Sequence, residues 1–282
     1  MNCYLCHSEA FHLREGMVRD APDLEIRECD NCGLVYLSST AHIDDEHYGN
    51  SGMFGSKPPN IEDLLKATSE DDQRRFEILK SSLVNKSLLD FGCGSAGFLI
   101  RAKDLAHSVA GVEIERRMSK HWEGKLLIHS ELESAGGGYD LITAFHVIEH
   151  LKDPIKIIKD LLGMLKDNGR LVIEVPSSDD VLLTLYKCAS FQKFTYWSQH
   201  LYLFNPRTLS ELAKQAGARI IAIKQFQRYP LSNHLYWLSN AKPGGHEQWS
   251  FLDTDALHEA YSNVLASLGK CDTIIAYLER DV

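Results

Sequence analysis

No apolar run in this 282-residue chain approaches the roughly 18 residues that a membrane-spanning helix needs, so such a helix is excluded. The first 30 residues carry charges throughout and no apolar stretch, which predicts no secretory signal and a cytoplasmic protein. Internal repeats and low-complexity tracts are missing, and with them the solenoid and fibrous architectures. Positive charge is in short supply. The 30 Lys and Arg face 39 Asp and Glu, a net charge of −9, which is a poor footprint for a nucleic-acid binder. Cysteines number seven, an odd count that argues against a disulfide scaffold and for a reducing compartment. What remains is ordinary globular composition, 44% apolar and 24% charged, in a length suited to one large domain or a main domain with a small module.

Four of the cysteines form two pairs, Cys3-x2-Cys6 and Cys29-x2-Cys32, while Cys93, Cys188 and Cys271 are scattered. A C-x2-C pair on a tight turn sets two thiolates about one tetrahedral edge apart, and two such knuckles close a four-sulfur zinc site. Gly33 suits the turn that aims backbone N–H groups at the sulfurs. A closed site leaves no open coordination position, so this zinc is expected to be structural. Zinc ribbons often bind nucleic acid, but residues 1–60 hold four basic and ten acidic side chains, which speaks against that use.

The ribbon is expected over residues 1–40. Residues 41–68, with Gly49, Gly52, Gly55, Pro58 and Pro59, read as a linker. Tyr48 and Phe54 are aromatic outliers there, which either pack on the next domain or cover a ligand. Ser69 as N-cap with Asp72 three residues on predicts the helix that opens a main domain over 69–282.

From residue 87 the chain alternates strand and helix. Strands are predicted at 87–91, 108–114, 125–129, 140–145 and 170–175. Asp153-Pro154 and Asn205-Pro206 are helix starts, and Asn168-Gly169 reads as the close of the first of these helices. Runs at 219–225 and 273–278 flank a helical insertion over about 226–268 and are expected to pair antiparallel. The pattern predicts an α/β, doubly wound, mostly parallel sheet with ligands at the C-terminal ends of its strands.

Gly92-Cys93-Gly94-Ser95-Ala96-Gly97 follows the first strand of this domain, and the G-x-G-x-x-G spacing fits nicotinamide, flavin and other adenosyl ligands. Glu113, 21 residues past Gly92, can hold both hydroxyls of a ribose. Asp90 sits inside the strand end, where dinucleotide binders carry an apolar residue. A carboxylate there suits a ligand with an ammonium group, such as the methionine part of S-adenosylmethionine.

LLDFGCGSAGF, Glu113, YDLITAFHVIEHLKDP and LKDNGRLVIEVP together resemble the class I S-adenosylmethionine-dependent methyltransferases. With CxxC…CDNCGLVYL, DDEHYGN and HLYLFNPRTLSELAKQAGA, the whole chain is similar to a subgroup bearing an N-terminal four-cysteine zinc ribbon. The resemblance implies a seven-stranded Rossmann-like sheet with one antiparallel strand. It also implies Asp90, Gly92 and Gly94 around the methionyl part of the cofactor, Glu113 on its ribose, and Ser130–Leu132 near adenine, with Cys93, Ile114, Leu132 and His146 among the cofactor contacts. Ala96 departs from the glycine common in the family, and Gly97 is expected to supply the freedom instead.

His146-x-x-Glu149-His150 formally matches an inverted zinc-peptidase motif, but that motif needs one long helix and this one falls on a strand-to-helix turn. It is closer to the E-x-x-E-H metal motif of some ubiquinone-pathway and small-RNA O-methyltransferases, which a later histidine completes. His146 stands in place of the first Glu, and His200 is the candidate later histidine. Three readings stay open: a second divalent metal at Glu149/His150, His146 or His200 as a general base without metal, or plain packing. The aromatic runs at 191–204 and 226–249 suit an acceptor wall and cap.

The reading is methyl transfer to a hydroxyl, less readily a carbon, of a small acceptor such as a saccharide or biosynthetic metabolite, with no nucleic acid or membrane partner. The alternatives are an RNA or protein methyltransferase docking through its ribbon, a nicotinamide-dependent oxidoreductase, and a silent cofactor-binding protein. The sequence carries no signal for an oligomeric state.

Overall fold

In the computed structural model, which describes residues 1–43, 48–49 and 57–281, the chain opens with three antiparallel strands. These are β1 (Phe11–Leu13), β2 (Ile26–Cys29) and β3 (Val35–Leu37). Both C-x2-C turns close with the same bond: His7 N–H donates to the Cys3 carbonyl and Gly33 N–H to the Cys29 carbonyl, each at 2.9 Å. Both donors are left-handed, Gly33 at φ 80° as the sequence suggests and His7 at φ 59° without a glycine's freedom. Of the linker's two aromatic outliers, Tyr48 packs on the core, while Phe54 and Asp44–His47 lie outside the described residues.

Helix α1 (Ile61–Leu83) follows. It begins at Ile61 and not after Ser69, because Asn60 offers an earlier cap by accepting the Asp63 N–H, with Glu62 and Asp63 favouring the helix N-terminus. Ser69 lies inside the helix, where its carbonyl and hydroxyl receive the Arg101 guanidinium. Residues 61–68 of the expected linker are therefore helical.

Alternation then runs through β4 (Ser87–Phe91), α2 (Gly97–Ala102), β5 (Ser108–Val112), α3 (Arg116–Trp122), β6 (Leu127–His129), β7 (Tyr139–Phe145), α4 (Pro154–Gly163) and β8 (Leu165–Pro176). The Asp153 carboxylate caps α4 through the Lys156 N–H, Pro154 takes the first turn, and Ile158, Leu161 and Leu162 are the buried stripe. The helix ends at Gly163. Asn168-Gly169 does not close it but lies within β8, which pairs Leu165 with Tyr139 and, after a register shift, Arg170 with Leu141.

Beyond β8 come α5 (Val181–Thr184), α6 (Ala189–Thr195), β9 (Tyr202–Leu203), α7 (Pro206–Gln215) and β10 (Ala218–Phe226). Asn205 and Thr208 cap α7 reciprocally. Helices α8 (Leu231–Asn240), α9 (Gly245–Gln248) and α10 (Asp255–Leu268) form the insertion before β11 (Thr273–Arg280).

The large sheet has the order β10-β11-β8-β7-β4-β5-β6. β11 is antiparallel to both its neighbours and the remaining pairs are parallel, so the fold is the expected doubly wound seven-stranded α/β sheet with one antiparallel strand. Chain order reverses between β4 and β7, which opens a crevice at their C-terminal ends.

The ribbon is not a separate bead. β9 pairs antiparallel with β3, Tyr36 opposite Tyr202, and extends the ribbon to a second sheet, β1-β2-β3-β9. Leu5, Ile26 and Leu34 share one apolar core with Leu201, Phe204, Ile142 and Ile173. Each such fully buried side chain contributes roughly 1.5–3 kcal/mol. Among the described residues no helix is long and apolar enough to cross a membrane.

Candidate functional site

The glycine loop leaves β4 at the crevice. Gly92 is left-handed at φ 69°, and a side chain there would overlap Val147. The N–H groups of Gly92 and Cys93 donate to the Val112 carbonyl at 2.8 and 3.1 Å, tying the loop to the end of β5. Ala96 adopts the left-handed conformation itself, at φ 65°. Gly97 therefore supplies no compensating freedom. What it supplies is room, since a Cβ at that position would collide with the Asp72 carboxylate of α1.

Asp90 is 3% exposed, accepts the Thr143 hydroxyl at 2.6 Å, and is pushed up to about 7 by burial. Glu113 accepts the Gly94 N–H on one oxygen and the Glu115 N–H on the other, both at 2.9 Å, and burial raises its pKa as well. Ile114 is exposed beside it and against Gly49, and Leu132 sits on the turn after β6. The structure thus gathers Asp90, Gly92, Gly94, Glu113, Ile114 and Leu132 along one edge. The Cys93 side chain instead turns under the loop against Gly111.

His146 leaves β7 in a left-handed turn, φ 54°, and Ile148–His150 form a short 3-10 turn rather than the long helix a peptidase motif requires. Both nitrogens of its ring are engaged. Nδ1 faces Glu149 Oε1 at 3.2 Å, while Nε2 faces Glu174 Oε1 at 3.2 Å and the Arg228 guanidinium at 3.0 Å. Burial opposes the imidazolium, but Glu149 and Glu174 outweigh it and raise the pKa. Glu174 is buried too, and although burial favours its acid form, Arg75, His146 and Arg74 hold it well below the usual range.

The pair His150 and His200 is arranged differently. The His150 Nδ1–H donates to the Gln199 carbonyl at 2.8 Å and the His200 Nδ1–H to the Thr195 carbonyl at 2.9 Å, with ring centroids 5.0 Å apart. This tautomer leaves both Nε2 lone pairs available. Burial and the neighbouring His150 lower His200 to about 4. One donor atom each from Glu149, His150 and His200 lies within 4.8 Å of the others, and Glu149 Oε2 is buried without a hydrogen-bond partner. Two neutral imidazoles held by carbonyls and a carboxylate with an orphaned oxygen fit a divalent cation. The Tyr48 ring lies 6.3 Å from that of His150.

His146 and His200 open onto a cavity of about 330 Å³ bounded by Phe194, Trp197, Tyr229 and Trp237. The aromatic segments singled out in the sequence thus do converge. Sequence reasoning missed Arg19 of the ribbon and Arg228 after β10, which also line this cavity. Neither has a local signal, since each is a single arginine with no motif around it.

In the ribbon, the Cys3 and Cys32 sulfurs are 3.4 Å apart, as are those of Cys6 and Cys29, and all four lie within 4.8 Å of one another with no disulfide. A tetrahedron with metal–sulfur bonds of about 2.3 Å has an edge of about 3.8 Å, so the four thiols fit a single zinc.

A sequence-family model described as a methyltransferase domain matches residues 62–223. The chain is 26% identical over 163 residues to a ubiquinone biosynthesis O-methyltransferase of Hydrogenovibrio crunogenus, covering 51% of this chain and 67% of that protein. It is 25% identical over 177 residues to the protein of the same name from Burkholderia pseudomallei, covering 56% and 75%. Among solved structures, an S-adenosylmethionine-dependent methyltransferase from Archaeoglobus fulgidus matches with TM-score 0.50 and 19% identity, covering 82% of this chain and 99% of that one. A putative methyltransferase in complex with the Haloferax volcanii Trm112 activator matches with TM-score 0.52 and 13% identity, covering 80% and 100%. The structural likenesses speak for the fold alone; the sequence-family match, over more than half of the chain, sets the nicotinamide reading aside. The chain belongs to the methyltransferase-domain family, on the fold of the S-adenosylmethionine-dependent methyltransferases.

Proposed function

We propose that this methyltransferase moves the methyl group of S-adenosylmethionine to a hydroxyl of a small acceptor, a saccharide or biosynthetic metabolite, held in the aromatic cavity. The observation that carries the reading is the Glu149, His150 and His200 cluster, which meets the cavity through His200. Relatives named as O-methyltransferases support the oxygen acceptor.

S-adenosylmethionine supplies a methyl already activated on a sulfonium, so the protein's task is to align the acceptor in line and relieve it of a proton. In this reading the Asp90 carboxylate receives the cofactor's ammonium, and Glu113 its ribose hydroxyls. His146 is a positioning residue, since its nitrogens are both engaged and it fixes Glu149. His200, with its Nδ1 proton held by the Thr195 carbonyl, keeps the Nε2 lone pair through which it would join Glu149 and His150 around a cation beside the acceptor. Glu149, His150 and His200 would hold a divalent cation, which when bound lowers the pKa of the acceptor hydroxyl. The aromatic walls exclude water. In the ribbon, Cys3, Cys6, Cys29 and Cys32 would hold a structural zinc.

Incubation with labelled S-adenosylmethionine and a panel of phenols and saccharides, with and without chelator, tests the reading. Adenosylhomocysteine should form with at least one hydroxyl acceptor. His200→Ala should cut turnover about a hundredfold with cofactor affinity unchanged. Product methylated only on nitrogen would overturn the oxygen assignment, and stabilisation by NAD but not by adenosylhomocysteine would overturn the donor.

A further inference from the structure

The ribbon reaches into the cavity. Its 14–20 loop grips the turn after β8 and the segment that carries Trp197 and His200. Arg14 donates to the Ser178 carbonyl at 2.7 Å, the Arg19 N–H to the Tyr196 carbonyl at 2.9 Å, and Asp20 accepts both the Ser198 N–H and its hydroxyl. The Arg19 guanidinium lies 4.6 Å over the Trp197 ring and 5.6 Å from that of Phe194, on the cavity rim, where Phe194 itself is 48% exposed.

The charges of the cavity are unevenly settled. At the inner end Arg228 is paired with Asp71 and sits beside Asp272, whose carboxylate also receives the Arg228, Tyr229 and Gln227 N–H groups. Asp180 caps Leu182 and is pushed up to about 8 by burial and by Asp272, so it is largely uncharged near neutrality. Arg19, by contrast, donates from its side chain to the Phe194 carbonyl at 3.1 Å. The neighbouring Asp20 carboxylate acts on it only at longer range, its oxygens being taken up by Ser198, and among the described residues no carboxylate pairs with Arg19 within 4.0 Å. A planar guanidinium stacked on indole, with its remaining N–H groups directed to no acid, is the form of arginine that receives carboxylate or phosphate oxygens.

Building on the assignment of this cavity to the acceptor, we propose that Arg19 is a specificity-determining residue of the methyltransferase: it holds an anionic group, carboxylate or phosphate, on the acceptor, whose hydroxyl then points inward to His200. The ribbon is thus a wall of the acceptor site.

The test is ligand titration of the full-length, metal-replete protein saturated with adenosylhomocysteine, using pairs that differ in charge: 4-hydroxybenzoate against 4-hydroxybenzyl alcohol, and glucuronate against glucose. The wild type should bind the anionic member of at least one pair about tenfold more tightly. Arg19→Gln should erase that preference and Arg19→Lys should keep part of it. Loosening of the ribbon would weaken both members of a pair alike, so an equal loss in Arg19→Gln overturns the proposal. So does a preference that survives in Arg19→Gln, the lack of any preference in the wild type, or the failure of every anionic probe to bind at millimolar concentration. Failure of adenosylhomocysteine to bind at all is a separate result and strikes the methyl-donor reading instead.

Discussion

The two ends of the active region are built on opposite plans. The proposed cofactor edge is local: Asp90, Gly92 and Gly94 lie within five residues of one another, Glu113 directly follows the next strand, and backbone N–H bonds to Val112 and Glu113 join them. The proposed acceptor cavity is assembled from the ribbon's Arg19, the turn after β7, the 194–200 segment and the α8–α9 part of the insertion. A site made by one βαβ unit stands on that unit, whereas a site made by four distant segments stands on whatever docks them together. In this protein the docking element is the ribbon, through β3–β9 pairing and a shared core.

The largest effect should come from Cys29→Ser. Four-cysteine zinc binding supplies on the order of 10 kcal/mol, more than many domains have in total. Zinc content should fall from about one equivalent to less than half, and hydrogen exchange across residues 194–204 should accelerate. Adenosylhomocysteine affinity should hold within about threefold if the two ends are as independent as their construction implies. Gly92→Val strikes the other end. The overlap with Val147 and a β-branched residue at φ 69° should together cost roughly 2–5 kcal/mol, read as lost cofactor binding in calorimetry and a lowered melting temperature. Gly94→Ala should cost less, about 1 kcal/mol, because no protein atom lies within 4 Å of an added Cβ and the strain comes from the left-handed backbone, φ 51°.

A subtler break concerns Asp90. Its folded pKa of about 7 lies above the unfolded carboxylate value. Its contribution to stability is therefore greatest below about pH 4 and is lost as pH rises through 7. An ammonium ligand has the opposite preference, so adenosylhomocysteine should bind about tenfold more tightly at pH 8 than at pH 6, and Asp90→Asn should flatten that slope. The smallest change is Ala96→Gly. Relief of a left-handed alanine is partly offset by unfolded-state entropy, for a net gain of roughly 0.5 kcal/mol in a denaturant melt.

Much of the cofactor edge was legible because its chemistry is contiguous. The helix starts at Asp153-Pro154 and Asn205-Pro206 were legible for the same reason, since a cap and its acceptor lie within one turn. The earlier start of α1 has a local signal as well, since Asn60 and the Asp63 N–H it caps lie within one turn. The end of α4 was misplaced because Asn168-Gly169 looks alike at a helix close and within an irregular strand, and pairing with β7 chose the strand.

By itself the sequence determined the seven-stranded alternation, the four-sulfur site and the glycine loop with its two carboxylates. Each depends on spacing along the chain. Only the tertiary structure decided that His146 is engaged on both nitrogens while His200 keeps an open lone pair, because Glu174 and Arg228 reach His146 from β8 and from the start of the insertion. It also decided that an arginine of the ribbon lines the aromatic cavity, a placement fixed by β3–β9 pairing across more than 160 residues of chain.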